Sequence, residues 1–300
     1  LACQKVGLIH KVVISIQGLV SVYAKHYSTG LNWFDIHSFT LRDLIKRDNI
    51  HRRQKDFEHR GKYECMALKS VDYVIGRTDW DECCVRRINP AVKYIKCNET
   101  LRPSFYHHRW DYNNCKKHTI FVSQCNYPVK GLHMLIDYLP EILEEYPDTK
   151  VYTTGPSPFT NTGALKKGLT YYKVLLSKKL QKLNLEDHVV FLGNLNEDDM
   201  CNQYLKSNVF VSCSTIENSP NSIGEAMLLG MPVVTSDVGG VKNMVDHRLE
   251  GFLYPLDEPY MLPYYIKKCF QYDESIHMMI ENAHKHALMT HNVDDNFETL

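Results

Sequence analysis

No apolar run in this 300-residue chain approaches the roughly 20 consecutive residues that a membrane-spanning helix needs. The first residues, Leu1 to Gly18, do not read as a secretory leader, because Lys5, His10 and Lys11 interrupt them. A surplus of one charge is missing too: 35 Lys and Arg balance 35 Asp and Glu. General binding to nucleic acid needs excess cations to displace counterions, so that class drops out. The ten cysteines contain no C-x-x-C, and only Cys83 and Cys84 adjoin. Metal-ligand spacing is thus lacking, and the thiols read as reduced, in a cytoplasmic protein. There is no internal repeat, and no G-x-G-x-x-G follows the first strand of either half, which argues against a dinucleotide-dependent dehydrogenase. Leu1 is not a natural start, so the chain reads as a fragment or a processed product.

Hydrophobic residues make up 44% and charged residues 23%, which is ordinary for a globular protein, and the length suggests two domains. In the second half, short runs rich in Val, Ile and Phe recur at 119–123, 149–154, 188–192, 208–212 and 232–235. They are largely unalternated, as strands buried on both faces are. Amphipathic stretches lie between them. Leu132, Leu135, Ile136 and Leu139 form one helical face, and Pro140 is expected to kink or restart that helix. Such alternation predicts a parallel, doubly wound sheet. The first half shows strand runs at 12–16, 72–76 and 92–96, with helical patterns at 39–48 and 55–70. The polar stretch from Trp110 to Lys117 suggests a boundary, giving domains 1–116 and 117–300 on either side of a ligand cleft. Segment 41–62 holds eight Lys/Arg and four Asp/Glu; it reads as a solvated helical face or as a contact with acidic lipid.

The densest chemistry lies between Ser212 and Gly240, SCSTIENSPNSIGEAMLLGMPVVTSDVGG. A strand ends at Ser212, a loop carries Glu217, and a helix opens near Ser222 and Ile223 with Glu225 in its first turn. A second strand follows Gly230, ends in the Gly239-Gly240 loop, and is expected to lead into another helix. Helix N-termini present unpaired N–H groups and partial positive charge, which suits phosphate. The glycines let backbone approach a ligand. Ionised Glu217 and Glu225 can accept hydrogen bonds from sugar hydroxyls.

This string, with Glu217 and Glu225 eight apart, Gly230, Pro232-Val233-Val234 and Gly239-Gly240, resembles the donor-site motif of glycosyltransferase family 4. The resemblance extends upstream. Lys130-Gly131 stands where that family has its diphosphate-binding lysine and glycine, and Gly193 lies where it has the loop beside the nucleotide base. It implies a GT-B fold: two Rossmann-like α/β domains facing a cleft, the N-terminal one incomplete. It implies a retaining, metal-independent transfer of sugar from a nucleotide-sugar donor, UDP- or GDP-linked, to a glycan or lipid-linked acceptor. A further implication is a place in cell-surface polysaccharide synthesis, in the cytoplasm or peripherally at the inner membrane face. No other cofactor is expected. Lys130 would stabilise charge on the departing diphosphate, and Glu217 would contact the donor sugar and its oxocarbenium-like transition state. Glu225 would bind ribose hydroxyls; Ser222, Ile223, Gly131, Gly239 and Gly240 would line the phosphates.

The sequence also departs from the family. Ser123-Gln124 stands where members carry Gly-Arg, so Gln124 offers a hydrogen bond without charge. Gln17-Gly18 stands where many have His-Gly, and Gln17 cannot act as a base. Arg77, Asn98 and Glu99 are placed to face the cleft, or Arg77 to pair with a carboxylate. The alternative is a degenerate or truncated module that binds nucleotide sugar without turning it over. Asp79-Trp80-Asp81 has the D-x-D form that holds metal in other transferases, but it opens a helix, where Asp79 would serve as a cap. His107, His108, His284, His286 and His291 read as surface residues.

Overall fold

The structure, a computed structural model, describes residues 11–159 and 169–299. Its elements fall into two parallel sheets. The first has the order β1-β2-β3, from Val13–Ser15, Tyr73–Gly76 and Lys93–Lys96. Between β1 and β2 lie four helices: α1 (Val20–His26), α2 (Trp33–His37), α3 (Leu41–Lys46) and α4 (Ile50–Leu68). Helix α5 (Asp79–Ile88) joins β2 to β3. A small core of Ile16, Leu19, Leu68, Val71, Val74, Val85 and Val92 holds this unit together.

The second sheet has six strands: β4 (Thr119–Val122), β5 (Lys150–Thr153), β6 (Val189–Phe191), β7 (Val209–Ser212), β8 (Val233–Ser236) and β9 (Phe252–Tyr254). Their order is β6-β5-β4-β7-β8-β9. The chain therefore winds outward from β4 in one direction and then, from β7, in the other. This is the doubly wound order of dinucleotide-binding sheets, and ligands sit at such a reversal, beyond the carboxyl ends of the two central strands. Every residue of β4, β7, β8 and β9 is buried, as the unalternated runs predict. Helices α6 (Leu132–Leu143), α7 (Tyr171–Lys182), α8 (Glu197–Lys206), α9 (Asn221–Leu229) and α10 (Met261–Gln271) cover the sheet. In α6, Leu132, Leu135, Ile136 and Leu139 are all fully buried. Each such side chain contributes about 1.5–3 kcal/mol of transfer free energy. The helix runs on through Pro140 to Leu143 rather than restarting there.

The stretch after Trp110 is polar in sequence, but Trp110 itself is buried and donates from Nε1 to the Ser207 carbonyl at 2.7 Å. The segment is thus anchored to the second unit. The expected helix after β8 needs correction: Gly240 leads only into a single 3-10 turn, Val241–Asn243, and the next α-helix begins at Met261. A lone turn sums too few peptide dipoles to act as a helix terminus.

The chain then returns. Helices α11 (Glu274–Thr290) and α12 (Val293–Thr299) lead back toward the first unit. The Tyr106 hydroxyl donates to the His291 carbonyl at 2.7 Å, and Cys97 Sγ lies 3.5 Å from the Asn296 carbonyl. His291, expected at the surface, is buried. Its Nδ1 bonds the Glu99 carbonyl at 2.7 Å, and its ring fills the space that a Cβ on Gly224 would need. Burial lowers its pKa and keeps it neutral. His284 and His286 are half-buried; His107 and His108 are exposed as expected.

Candidate functional site

The reversal between β4 and β7 is where the two candidate catalytic residues meet. After β4 the chain forms a single turn, Pro128–Lys130, and Gly131 follows with φ 71°. A Cβ on Gly131 would collide with the Cys213 carbonyl oxygen just past β7. Only glycine allows both the left-handed φ and that approach. The Thr215 N–H then donates to the Val129 carbonyl at 2.8 Å, zipping the two strand ends together. The result places Lys130 Nζ 2.6 Å from Glu217 Oε1. Glu217 is buried and Lys130 is half-buried, its side chain 27% exposed. At 2.6 Å between an ammonium and a carboxylate, the pair is a charge-assisted hydrogen bond at the mouth of the switch point.

Gly239 and Gly240 serve this pair. A Cβ on Gly239 (φ 54°) would strike the Glu217 carbonyl, and one on Gly240 would strike the Asn218 carbonyl. The Gly240 N–H donates to the Glu217 carbonyl at 3.0 Å. What these glycines approach is thus the backbone that carries Glu217, and they fix its position.

Glu225 lies in the second turn of α9 rather than the first, because the helix opens at Asn221, and it is buried. Arg102, from the segment that follows β3, grips it: Nε reaches Oε1 at 2.8 Å and Nη2 reaches Oε2 at 2.8 Å. The Tyr204 hydroxyl adds a bond to Oε2 at 3.3 Å. Burial raises the Glu225 pKa above the usual carboxylate range, and the Arg102 guanidinium opposes that rise. Arg102 was not anticipated from sequence. It directly precedes the single turn Pro103–Tyr106, and an arginine at that position carries no signal of its own.

Helix α9 begins after Pro220 with no side-chain cap. The Ile223 N–H turns back to the Pro220 carbonyl at 3.0 Å, and its side chain is buried. Ser222 is half-buried beside it. The dipole of a nine-residue helix ends here, close to Glu217 in the chain.

The first unit closes the site from the other side. Thr78, just past β2, donates to Asn218 Oδ1 at 2.5 Å, and Asn218 Nδ2 donates to Asp81 Oδ2 at 2.6 Å. Thr78 also accepts from the Asp81 N–H at 3.1 Å, so Thr78, not Asp79, is the cap of α5. The two acids of D-x-D part company: Asp81 is buried in this triangle, while Asp79 is exposed and meets Lys96 and Asn243, each at 3.0 Å. Among the described residues no group of three or more His, Cys, Asp or Glu is placed to hold a metal ion. Tyr23 of α1, also missed from sequence, lies where the Glu217 charge reaches it; burial and that charge keep its hydroxyl protonated.

The remaining candidates scatter. Gly18 packs against Tyr23, whose hydroxyl lies 2.8 Å from where a Cβ would stand. Gln17 is exposed and donates to Glu99 Oε1 at 2.9 Å, and the same oxygen takes an ion pair from buried Arg77. Gln124 is exposed at the end of β4. Gly193 ends β6 with φ 72°, exchanges backbone bonds with Gly155, and has open space where a Cβ would point.

Comparison with known proteins agrees with this architecture. The family described as Glycosyl transferases group 1 matches residues 107–286. A putative glycosyltransferase of Bacillus subtilis, YtcC, is 30% identical over 175 residues, which are 57% of this chain and 41% of that protein. The chain therefore spans less than half the length of that relative. Among solved structures, Anabaena HepE in complex with UDP superposes with a TM-score of 0.67 at 18% identity, covering 100% of this chain and 75% of that one. Sucrose-phosphate synthase from Thermosynechococcus elongatus gives a TM-score of 0.67 at 19% identity, covering 95% and 64%. These likenesses show the fold, and the fold is GT-B.

Proposed function

This chain belongs to the glycosyl transferases group 1 family, and on that premise we propose that it moves a sugar from a nucleotide-sugar donor to a glycan or lipid-linked acceptor, retaining anomeric configuration and using no metal. The observation that carries this reading is the Lys130–Glu217 pair, 2.6 Å apart at the reversal between β4 and β7.

Each residue then has a task. Departure of a nucleoside diphosphate builds negative charge on the leaving oxygen. Lys130 covers that charge, aided by the uncapped start of α9 at Asn221 and Ser222. These groups do the work that a divalent cation does elsewhere. Glu217 accepts hydrogen bonds from donor-sugar hydroxyls and stabilises the positive charge that develops at the anomeric carbon. Glu225, held ionised by Arg102, accepts from the ribose hydroxyls. The acceptor hydroxyl attacks from the leaving-group face, its oxygen bonds to the anomeric carbon as the phosphate bond breaks, and a donor phosphate oxygen takes its proton. UDP is the first base to test, since HepE, of the same fold, is described in complex with UDP-glucose. We infer that the reaction takes place at the cytoplasmic side of the membrane, a reading supported by the resemblance to polysaccharide-building enzymes.

The test is turnover. The chain is incubated with UDP-, GDP-, ADP- and CDP-sugars in turn, and release of nucleoside diphosphate and the anomeric proton of the product are followed by NMR. One donor class should be consumed with its anomeric configuration kept. Binding without consumption of any donor would make the chain a binding module; an inverted product would refute retention.

A further inference from the structure

The segment between α1 and α4 takes no part in the site above. Its two short helices, α2 and α3, turn large apolar side chains outward. Trp33, Phe34, Phe39, Leu41, Leu44 and Ile45 are between 58% and 79% exposed. Single exposed apolar residues are ordinary, but six within so short a stretch form a patch, and patches mark contact surfaces.

The charges of the same segment are sorted by side. Its acids face inward. Asp43 is buried and closes a capping box with Thr40, with bonds of 3.1 Å each way. Asp35 accepts from the Tyr171 hydroxyl at 3.1 Å. Asp48 lies between Arg42 at 2.7 Å and Arg53 at 2.9 Å. The cations left over, Lys46, Arg47 and Arg52, are exposed and make no ion pair among the described residues. A hollow of about 340 Å³ sets Arg47 and Arg52 beside Phe39 and Leu44. The ridge is also rooted: Trp33 stacks on His37 at 4.5 Å, and His37 stacks on His51 of α4 at 4.7 Å.

We propose that this ridge docks onto an anionic phospholipid bilayer. Apolar side chains enter the headgroup layer, tryptophan settles at that depth, and uncompensated cations beside them meet lipid phosphates. The charge sorting is what favours a bilayer over a protein partner, because a row of cations unpaired among the described residues, beside exposed apolar side chains, matches an anionic surface with an apolar interior. Within residues 33–52 the acids Asp35, Asp43 and Asp48 thus lie inward and neutralised, while Lys46, Arg47 and Arg52 face out; the exposed acids of segment 41–62, Asp56 and Glu58, lie beyond the ridge on α4. The inference gives the proposed lipid-linked acceptor a surface at which to be met, and rests on that reading for the acceptor alone.

The test uses the full chain without nucleotide, so it is independent of donor chemistry. Co-sedimentation is measured with phosphatidylcholine vesicles, with and without phosphatidylglycerol. Binding should require phosphatidylglycerol, weaken with salt, and shift Trp33 emission to the blue. Trp33→Ser/Ile45→Ser and Lys46→Glu/Arg47→Glu should each lower partitioning roughly tenfold or more, with unchanged thermal unfolding. No binding to anionic vesicles, or binding by both variants as strong as that of the unaltered chain, would overturn the proposal. So would a dimer in size-exclusion chromatography that Ile45→Ser dissociates while vesicles bind nothing; the ridge would then join copies of the chain.

Discussion

Arg102 and Glu225 face each other as a planar fork on a carboxylate, with both bonds at 2.8 Å, although they are 123 residues apart. One comes from the segment after the first sheet and the other from a helix of the second. The pair therefore couples the two units at the point where the ribose is proposed to bind. Arg102 acts through Glu225, and so is a positioning residue.

Arg102→Ala should weaken nucleotide binding by roughly 10–100-fold, the worth of one charge-assisted bond. It should also make binding sensitive to pH. Burial already raises the Glu225 pKa, and Arg102 is the main group opposing it. Without the guanidinium the carboxyl protonates at higher pH, so affinity should fall as pH falls toward mildly acid values, in a range where the unaltered protein is flat. Arg102→Lys should restore the pH profile in part, since it keeps charge but loses the fork. Titration calorimetry between pH 5.5 and 8 (roughly the range of ordinary buffers) checks this.

Lys130→Ala should lower kcat by roughly 10²–10³, the usual loss on removing one donor to a developing anion. Glu217→Gln should also lower kcat. Because the two side chains bond each other at 2.6 Å, the double variant should lose less than the product of the single losses. Steady-state kinetics on the three variants checks this; strictly multiplicative losses would mean that the pair does not act as a unit.

Gly131→Ala and Gly193→Ala should differ although both glycines have φ near 70°. At Gly193 there is open space, so only the left-handed backbone costs, about 1–2 kcal/mol. At Gly131 the methyl would also meet the Cys213 carbonyl, and the loop that carries Lys130 must shift. Thermal unfolding should show the larger loss for Gly131→Ala, and donor turnover should be lost there alone.

His133 gives a pH dependence of stability. It is buried, bonded through Nε2 to the Thr29 carbonyl and through Nδ1 to the Tyr172 hydroxyl, each at 3.1 Å, and burial lowers its pKa from 6.5 to about 4. The unfolded chain takes up this proton near pH 6.5 and the folded chain only near 4. Between those values the unfolded state binds more protons, so stability is full above pH 6.5 and falls as pH drops to 4. The loss should be on the order of 3 kcal/mol at its limit. His133→Gln, which keeps a donor and an acceptor, should flatten the fall in melting temperature over that window.

Much of this was readable from residues because buried parallel strands leave unbroken Val, Ile and Phe runs. Eight of the strands lie within a residue or two of those runs. The ninth, Phe252–Tyr254, is too short to rise above its surroundings. Glu217 and Glu225 were legible in the loop and helix start between Ser212 and Gly240, and Lys130 only through the resemblance of that string to a family motif. Arg102, Tyr23 and Asn218 were not, because their roles depend on how the first unit sits against the second. The expected helix after Gly240 failed for a related reason: its glycines serve Glu217 and Asn218 and leave only one turn. The burial of His291 likewise arises from the return of the last helices, which local pattern does not announce.

The most direct test of the account is calorimetric titration of the chain with UDP, GDP, ADP and CDP, repeated for Lys130→Ala and Glu225→Ala. The account predicts one saturable site that prefers a single base and is weakened at least about tenfold in both variants. Absence of binding by every nucleoside diphosphate, or binding that neither substitution alters, would contradict a donor site at the junction of β4 and β7.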